Sequence, residues 1–294
     1  MHGIILKGIG SFYTVKSGNA EYVCKARGKF RKQGICPVPG DNVEFDFDSK
    51  TKNGFISEIC KRKNELIRPA VANIDKLMIV VSASIPKPDF YLVDKLSVLC
   101  EINKIEPIIV INKCDEQCAS ESISLICSEY KNTGYKIITV SAATGQGMEL
   151  LKNELNGSTV CFAGQSAVGK SSILNALMPQ LTLETGGLSR KNERGRHTTR
   201  HAELWINNDG SGVFDTPGFS LIELSKIEPN QLAEFYPEMK MYRNQCRFTG
   251  CSHINEPDCA VKSLLDTDKI SLERYNRYKD LYYELLEAYK HRFD

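Results

Sequence analysis

The residues Gly164-Gln165-Ser166-Ala167-Val168-Gly169-Lys170-Ser171, followed by Ser172, fit the spacing G-x-x-x-x-G-K-[ST]. They follow the apolar run Thr159-Ala163 and open a stretch of helical periodicity, which is the context this motif requires. Glycines at the two ends let backbone amides curl around phosphate oxygens. Lys170 can place its ammonium on a β or γ phosphate, and Ser171 can ligate Mg(2+).

A second constellation, Asn112-Lys113-Cys114-Asp115, directly follows the apolar strand-like run Pro107-Ile111. A carboxylate at Asp115 can accept from both the ring N–H and the exocyclic amine of guanine, and adenine offers neither donor in that place. A site built on such a pair discriminates by several kcal/mol, because the wrong base leaves the carboxylate unpartnered. Asn112 and Lys113 would support the base and the neighbouring loop, with Cys114 at the variable position. Ser141-Ala142, at the end of the next strand, suits a backbone contact to the guanine oxygen. Asp215-Thr216-Pro217-Gly218 supplies D-x-x-G, with Asp215 reaching Mg(2+) through water and the Gly218 amide reading a γ phosphate. Upstream, Gly195-Arg196-His197-Thr198-Thr199 reads as a switch whose threonine completes the Mg(2+) shell, and either Thr198 or Thr199 fits that role.

Cys246-x4-Cys251-x-His253-x5-Cys259 offers three thiolates and one imidazole, a complete tetrahedral set for structural Zn(2+) with no open position for catalysis. The chain has 11 cysteines, and Cys24, Cys36, Cys60, Cys100, Cys118, Cys127 and Cys161 are dispersed, as small apolar fillers would be.

These groups need elements to position them. Over 294 residues the composition is that of a globular protein, 41% hydrophobic and 25% charged, which excludes disordered and fibrous classes. No apolar run approaches the ~18 residues that span a bilayer, and the chain opens at Met1-His2-Gly3 without a signal-like region. Together with reduced or metal-bound cysteines, this predicts a cytoplasmic protein with no membrane partner. Residues 1–68 carry 13 basic against 7 acidic side chains, a net of +6, while the remainder is net −4. A basic module on an acidic body suits a polyanion.

Five short runs, Gly3-Lys7, Ser11-Val15, Glu21-Ala26, Asn42-Phe47 and Gly54-Cys60, predict a small β-barrel over 1–68. Lys25, Arg27, Lys29 and Arg31 would share one face of an extended hairpin there. Alternating strands and helices over 69–224 predict a doubly wound α/β domain. Residues 225–294 form a Cys/His loop region and a final helix capped by Ser271, with Tyr275, Tyr278, Tyr282, Leu285 and Tyr289 along one side as packing.

The base-reading motifs at 112–142 precede the phosphate loop at 164, the reverse of the usual order. This is a circular permutation, which leads the chain after Asp215-Gly218 straight into the Cys/His module. With a basic barrel before it and Cys246/Cys251/His253/Cys259 after it, the whole chain resembles the ribosome small-subunit-dependent GTPase A family. The resemblance implies an OB-fold barrel, hydrolysis of GTP to GDP stimulated by the small ribosomal subunit, and a role in that subunit's late maturation. From their charge, Lys25, Arg27, Lys29 and Arg31 are expected to supply part of the contact with its rRNA, and the chain is expected to be a monomer.

Phe219 stands where many GTPases carry the glutamine that orients water; similarity to the family makes His197 the candidate replacement, and packing or RNA contact is its other reading. Ala167 stands where the family suggests glycine. It also removes the asparagine that resembles the potassium-binding residue of related GTPases, so strong potassium activation is not expected. The competing reading is a P-loop phosphotransferase or NTPase with a small-molecule substrate, for which barrel and finger would be scaffolding.

Overall fold

A computed structural model describes residues 1–32, 34–178, 202–207, 209–215, 224, 227–265 and 267–291, excluding the side chains of Lys29 and Arg31. In chain order the strands are β1 (His2–Ile9), β2 (Phe12–Ser17), β3 (Ala20–Ala26), β4 (Asn42–Asp48), β5 (Asn53–Ile59), the short pair β6 (Glu65–Leu66) and β7 (Val71–Ala72), β8 (Lys76–Ser82), β9 (Glu106–Asn112), β10 (Lys136–Thr139), β11 (Thr159–Ala163), β12 (Glu203–Ile206) and β13 (Gly212–Asp215). The helices are α1 (Gly28–Lys32), α2 (Phe90–Asn103), α3 (Ala119–Tyr130), α4 (Met148–Leu155), α5 (Lys170–Leu177), α6 (Pro237–Lys240) and α7 (Leu272–Lys290). The chain divides into two compact units. The first holds Met1–Met78, Lys152–Ala163, β12 and β13; the second holds Ile79–Leu151, 164–178 and the described residues from 224 onward.

In the first unit β1 pairs with β2, β2 with β3, β3 with β5 and β5 with β4, and β4 returns to β1. This five-stranded barrel has no free edge among those strands. Side-chain alternation fills it: Ile5, Val15, Cys24, Val43, Phe45 and Ile56 point inward and are fully buried. The basic run departs from expectation. β3 ends at Ala26 and the chain turns into α1 (Gly28–Lys32), so the backbone does not run on as an extended strand through residue 31. Phe30 explains the turn, because its ring joins the barrel core at 5% exposure and an extended strand would not bring it there. Beyond the barrel, β12 lies antiparallel to both β1 and β13, and β13 runs parallel to β11. The predicted apolar role fails for Cys36 and Cys118, which are exposed, whereas Cys24, Cys100 and Cys161 are buried.

In the second unit the part of β8 from Ile79 onward, β9 and β10 lie side by side, with β9 and β10 parallel. Val80, Ile108, Ile109, Val110 and Ile111 are fully buried, as continuous apolar runs in a covered parallel sheet should be. α7 starts where Ser271 Oγ accepts from the Arg274 amide at 3.2 Å. Its stripe of Tyr275, Tyr278 and Leu285 is buried as packing and gains Leu281.

One feature of α7 is absent from any hydropathy pattern. Arg274 is fully buried, bonded to both Asp94 of α2 and Glu238 of α6, and its guanidinium stacks between the rings of Tyr130 and Tyr236 at 4.9 and 4.7 Å. Tyr130 also donates to Asp94 at 2.7 Å, and Arg277 bridges Asp94 to Glu129. Burial alone would push the Arg274 pKa down; Glu238 and Asp94 more than offset it and hold it well above the ordinary value.

Removing one partner of such a cluster strands a charge in the interior, which costs about 3–5 kcal/mol. Asp94→Ala is therefore expected to lower unfolding stability by that amount. Lys7→Ala, at the half-exposed pair with Glu203, is expected to cost no more than about 1 kcal/mol. Urea denaturation of the two variants checks the contrast.

Candidate nucleotide and metal sites

The predicted phosphate loop forms the turn between β11 and α5. Two glycines are required by space. Gly164 adopts φ +134°, and a Cβ there would lie 2.1 Å from the Val80 carbonyl oxygen; Gly169 adopts φ +95°, and its Cβ would lie 2.2 Å from Asn112 Nδ2. Ala167 also has positive φ, +64°, the left-handed region that glycine occupies without cost. Lys170 Nζ donates to the carbonyls of Gly164 (2.8 Å) and Gln165, so the ammonium is folded back along the loop, and burial pushes its pKa down. Anionic phosphate oxygens are the natural partner for a half-buried ammonium so placed. Ser171 and Ser172 follow in the first turn of α5, half-buried; Ser166 and Ala167 are exposed.

The Asn112-Asp115 motif meets this loop directly. Asn112, 2% exposed at the end of β9, donates through Nδ2 to the Val168 carbonyl at 2.9 Å and accepts through Oδ1 from the Ala142 amide at 3.1 Å. One carboxamide thus joins three segments that sequence reasoning had singled out separately. Lys113, at φ +65°, donates to the Ile85 carbonyl. Cys114 N–H donates to the Val140 carbonyl at 3.2 Å, and its thiol is pushed up by burial and by the neighbouring Asp115. Asp115 itself is exposed, open to a planar edge arriving from solvent. The Ser141-Ala142 turn is closed by Gly145 N–H to Ser141 O (2.9 Å) and Thr144 N–H to Ser141 Oγ (3.1 Å). Asp215 ends β13 in the other unit. His197, Thr198, Thr199 and Gly218 lie outside the described residues.

One contact escaped the sequence reading. Gln165, at a variable position of the loop, accepts through Oε1 from the Asp89 amide at 3.1 Å, while Asp89 caps α2 by accepting from Leu92 N–H at 3.0 Å. Asp89 two residues after Lys87 and just before an apolar helix was a legible cap signal.

The Cys/His cluster assembles as predicted. The donor atoms of Cys246, Cys251, His253 and Cys259 all lie within 4.8 Å of one another. Cys246 Sγ is 3.5 Å from His253 Nδ1 and 3.9 Å from Cys259 Sγ, and His253 Nδ1 is 3.3 Å from Cys259 Sγ. A tetrahedral ion with metal–sulfur bonds of ~2.3 Å and metal–nitrogen bonds of ~2.05 Å sets its ligands about 3.5–3.8 Å apart, so the cage fits. Burial pushes Cys251 up to about 12 and His253 down, which leaves neutral donors whose thiol protons a cation must displace. Support comes from α7: Tyr275 and Tyr278 donate to the carbonyls of His253 and Ser252 at 2.6 and 2.7 Å. Glu256 accepts from the Ser252 amide (2.8 Å) and hydroxyl (2.7 Å) and from the Ile254 amide (3.1 Å); burial pulls against them, and the bonds still hold it at about 2. The hydroxyls on the tyrosine stripe were the available signal, since Phe would have served for packing alone.

An α/β fold in which the Asn-Lys-x-Asp motif at 112–115 precedes the G-x-x-x-x-G-K-S loop at 164–171 defines a circularly permuted P-loop protein. The family described as RsgA GTPase matches residues 59–225, and the RsgA N-terminal domain matches residues 2–56. A protein named small ribosomal subunit biogenesis GTPase RsgA from Ruminiclostridium cellulolyticum is 48% identical over 95% of this chain and 92% of its own. One of the same name from Caldanaerobacter subterraneus subsp. tengcongensis is 44% identical over 100% and 98%. Among solved structures, YjeQ from Thermotoga maritima superposes with a TM-score of 0.85 at 37% identity, covering 97% of this chain and 98% of that one. YloQ, titled a circularly permuted GTPase, superposes at 0.80 with 35% identity, covering 98% and 95%. The chain belongs to the RsgA GTPase family and is a GTP-hydrolysing enzyme. The small-molecule phosphotransferase alternative is set aside with that membership.

Gly169→Ala is expected to disrupt the loop and to abolish nucleotide binding, because neither φ nor space admits a Cβ. Ala167→Gly is expected to stabilise or leave unchanged the free protein, by up to about 1 kcal/mol, as relief of left-handed strain competes with unfolded-chain entropy. Thermal unfolding reads both. At the second site, Cys251→Ala is expected to reduce bound metal from about one equivalent to none, checked by elemental analysis of protein never exposed to chelator.

Proposed function

We propose that this GTPase acts in late maturation of the small ribosomal subunit, binding its rRNA and being stimulated by the subunit to hydrolyse GTP to GDP and phosphate. The observation that carries the reading is a match along nearly the whole chain, at 48% identity, to a protein named for small ribosomal subunit biogenesis. A basic N-terminal module, net +6 over residues 1–68, agrees with a polyanionic partner. The functional division is into an RNA-contacting barrel at 1–68, a GTPase domain at 69–224 and a zinc module at 225–294. Cytoplasmic location and a monomeric state go with this reading. Among the described residues no helix is long and apolar enough to cross a membrane.

At the nucleotide site, Asp115 reads the guanine edge, the Ser141-Ala142 turn meets the guanine oxygen, and Asn112 holds that turn against the phosphate loop. Gly164 to Ser172 wrap the phosphates, and Lys170 leaves its two carbonyls to bind them. Ser171, a threonine at 198 or 199 and, through water, Asp215 would hold Mg(2+), which when bound neutralises charge developing on the phosphates. Gly218 reads the γ phosphate. His197 orients the attacking water, a task the Phe219 ring cannot perform. Cys246, Cys251, His253 and Cys259 hold one structural Zn(2+), for which three thiolates and one imidazole are a fitting donor set.

The test is GTP turnover with and without purified small subunits. Marked stimulation is expected, and equal rates would overturn the reading. Asp115→Asn should lose preference for GTP over ATP with the fold intact. Lys170→Ala should lose turnover while keeping base selectivity. Subunit co-sedimentation should be tighter with a non-hydrolysable GTP analogue than with GDP, by roughly 5 to 150-fold if the coupling is typical.

A further inference from the structure

We infer that the outward face of β2, β3 and β5 is a stacking platform for an unpaired stretch of RNA, with bases lying on Phe12 and Phe55 and the Lys25 ammonium between them. The inference rests on the reading of the barrel as an rRNA-contacting module and specifies the form of RNA it takes.

Register places these residues in one row. Phe12 is the cross-strand partner of Lys25, and Lys25 is the partner of Phe55. Cross-strand partners share a face, and the inward face is accounted for by Tyr13, Cys24 and Ile56. The row therefore points outward: Phe12 is 50% exposed, Phe55 43%, and Val23, one row along, 55%. Scattered exposed apolar side chains need no explanation, but two phenyl rings flanking a lysine across three adjacent strands are not scattered. Lys25 Nζ already stands 4.9 Å from the Phe12 ring centre.

The chemistry of the row selects its partner. At ~4.8 Å per strand the two rings are about 10 Å apart, room for two splayed bases with a phosphate near the ammonium. Duplex RNA would present its backbone to the rings and satisfy only the lysine, so the rings favour unpaired bases. A protein partner would have to bury that ammonium between two apolar rings, in a module that is already net +6. At the edge of the row Asp46, the partner of Phe55, is paired with Arg27 at 2.8 Å, which offsets the carboxylate nearest the rings.

The experiment uses the full chain and fluorescence anisotropy with a labelled eight-nucleotide single-stranded RNA and a hairpin duplex of equal charge. Phe12→Ala and Phe55→Ala are each expected to weaken single-strand binding roughly 5 to 150-fold, with duplex binding and the slope of affinity against salt unchanged. Lys25→Ala should instead flatten that slope by about 0.7, the share of one neutralised phosphate on a single strand. Phe12→Trp should bind as the parent does, while Phe12→Leu, which keeps bulk without a ring face, should bind as Phe12→Ala does. Binding by Phe12→Leu equal to the parent would assign the face to apolar docking and overturn the inference. So would unaltered binding in both alanine variants, or a parent that binds no single strand. If the parent still co-sediments with small subunits in those cases, the rRNA reading stands and only the platform falls.

Discussion

The carboxamide of Asn112 is the constraint on which the nucleotide site depends. Its two ends are committed to different loops, Nδ2 to the Val168 carbonyl and Oδ1 to the Ala142 amide, and at 2% exposure neither bond has water as a ready substitute. The same side chain occupies the space a Cβ at Gly169 would need. On the proposed roles, with Asp115 reading guanine and residues 164–172 wrapping phosphate, the two segments must be held at a fixed separation, and Asn112 is bonded to the loops of both. Isosteric Asp would supply two acceptors where one donor and one acceptor are needed.

Permutation makes that bond more than local. The Asn112-Asp115 motif and the loop at 164–171 are about fifty residues apart along the chain, in reversed order, and the fold regains their neighbourhood through Asn112, bonded to both the Val168 carbonyl and the Ala142 amide. From the same loop a second route leads outward: Gln165 to Asp89, along α2 to Asp94, through Arg274 into α7, and by Tyr275 and Tyr278 to the backbone of the Cys/His loop. Hydrogen bonds join the successive elements of this route, and two tyrosines of α7 hold the backbone of the Cys/His loop.

Much of this was legible beforehand for physical reasons. Barrel strands and the Cys/His spacing are local patterns, and both appear where their residues predicted; residues 164–169 form the turn between a strand and a helix that their motif requires. What escaped was what only tertiary context decides. Charge spacing suggested an extended run through Arg31, but one apolar residue, Phe30, turned the chain into the barrel core. Asp94, Glu238 and Arg274 look like surface residues in any hydropathy profile, and only their mutual neutralisation and the flanking tyrosines permit burial. Cys36 and Cys118 read as apolar fillers by type and are exposed in fact.

Amide hydrogen exchange of Asn112→Ala against the parent, followed at 142–146 and at 167–173, tests most directly whether one side chain sets the site. Protection is expected to fall at both loops together, since each loses its bond to the same carboxamide, while β9 and α2 remain protected. Loss confined to one loop, or protection unchanged at both, would contradict the account and leave the two loops as independent elements that merely lie side by side.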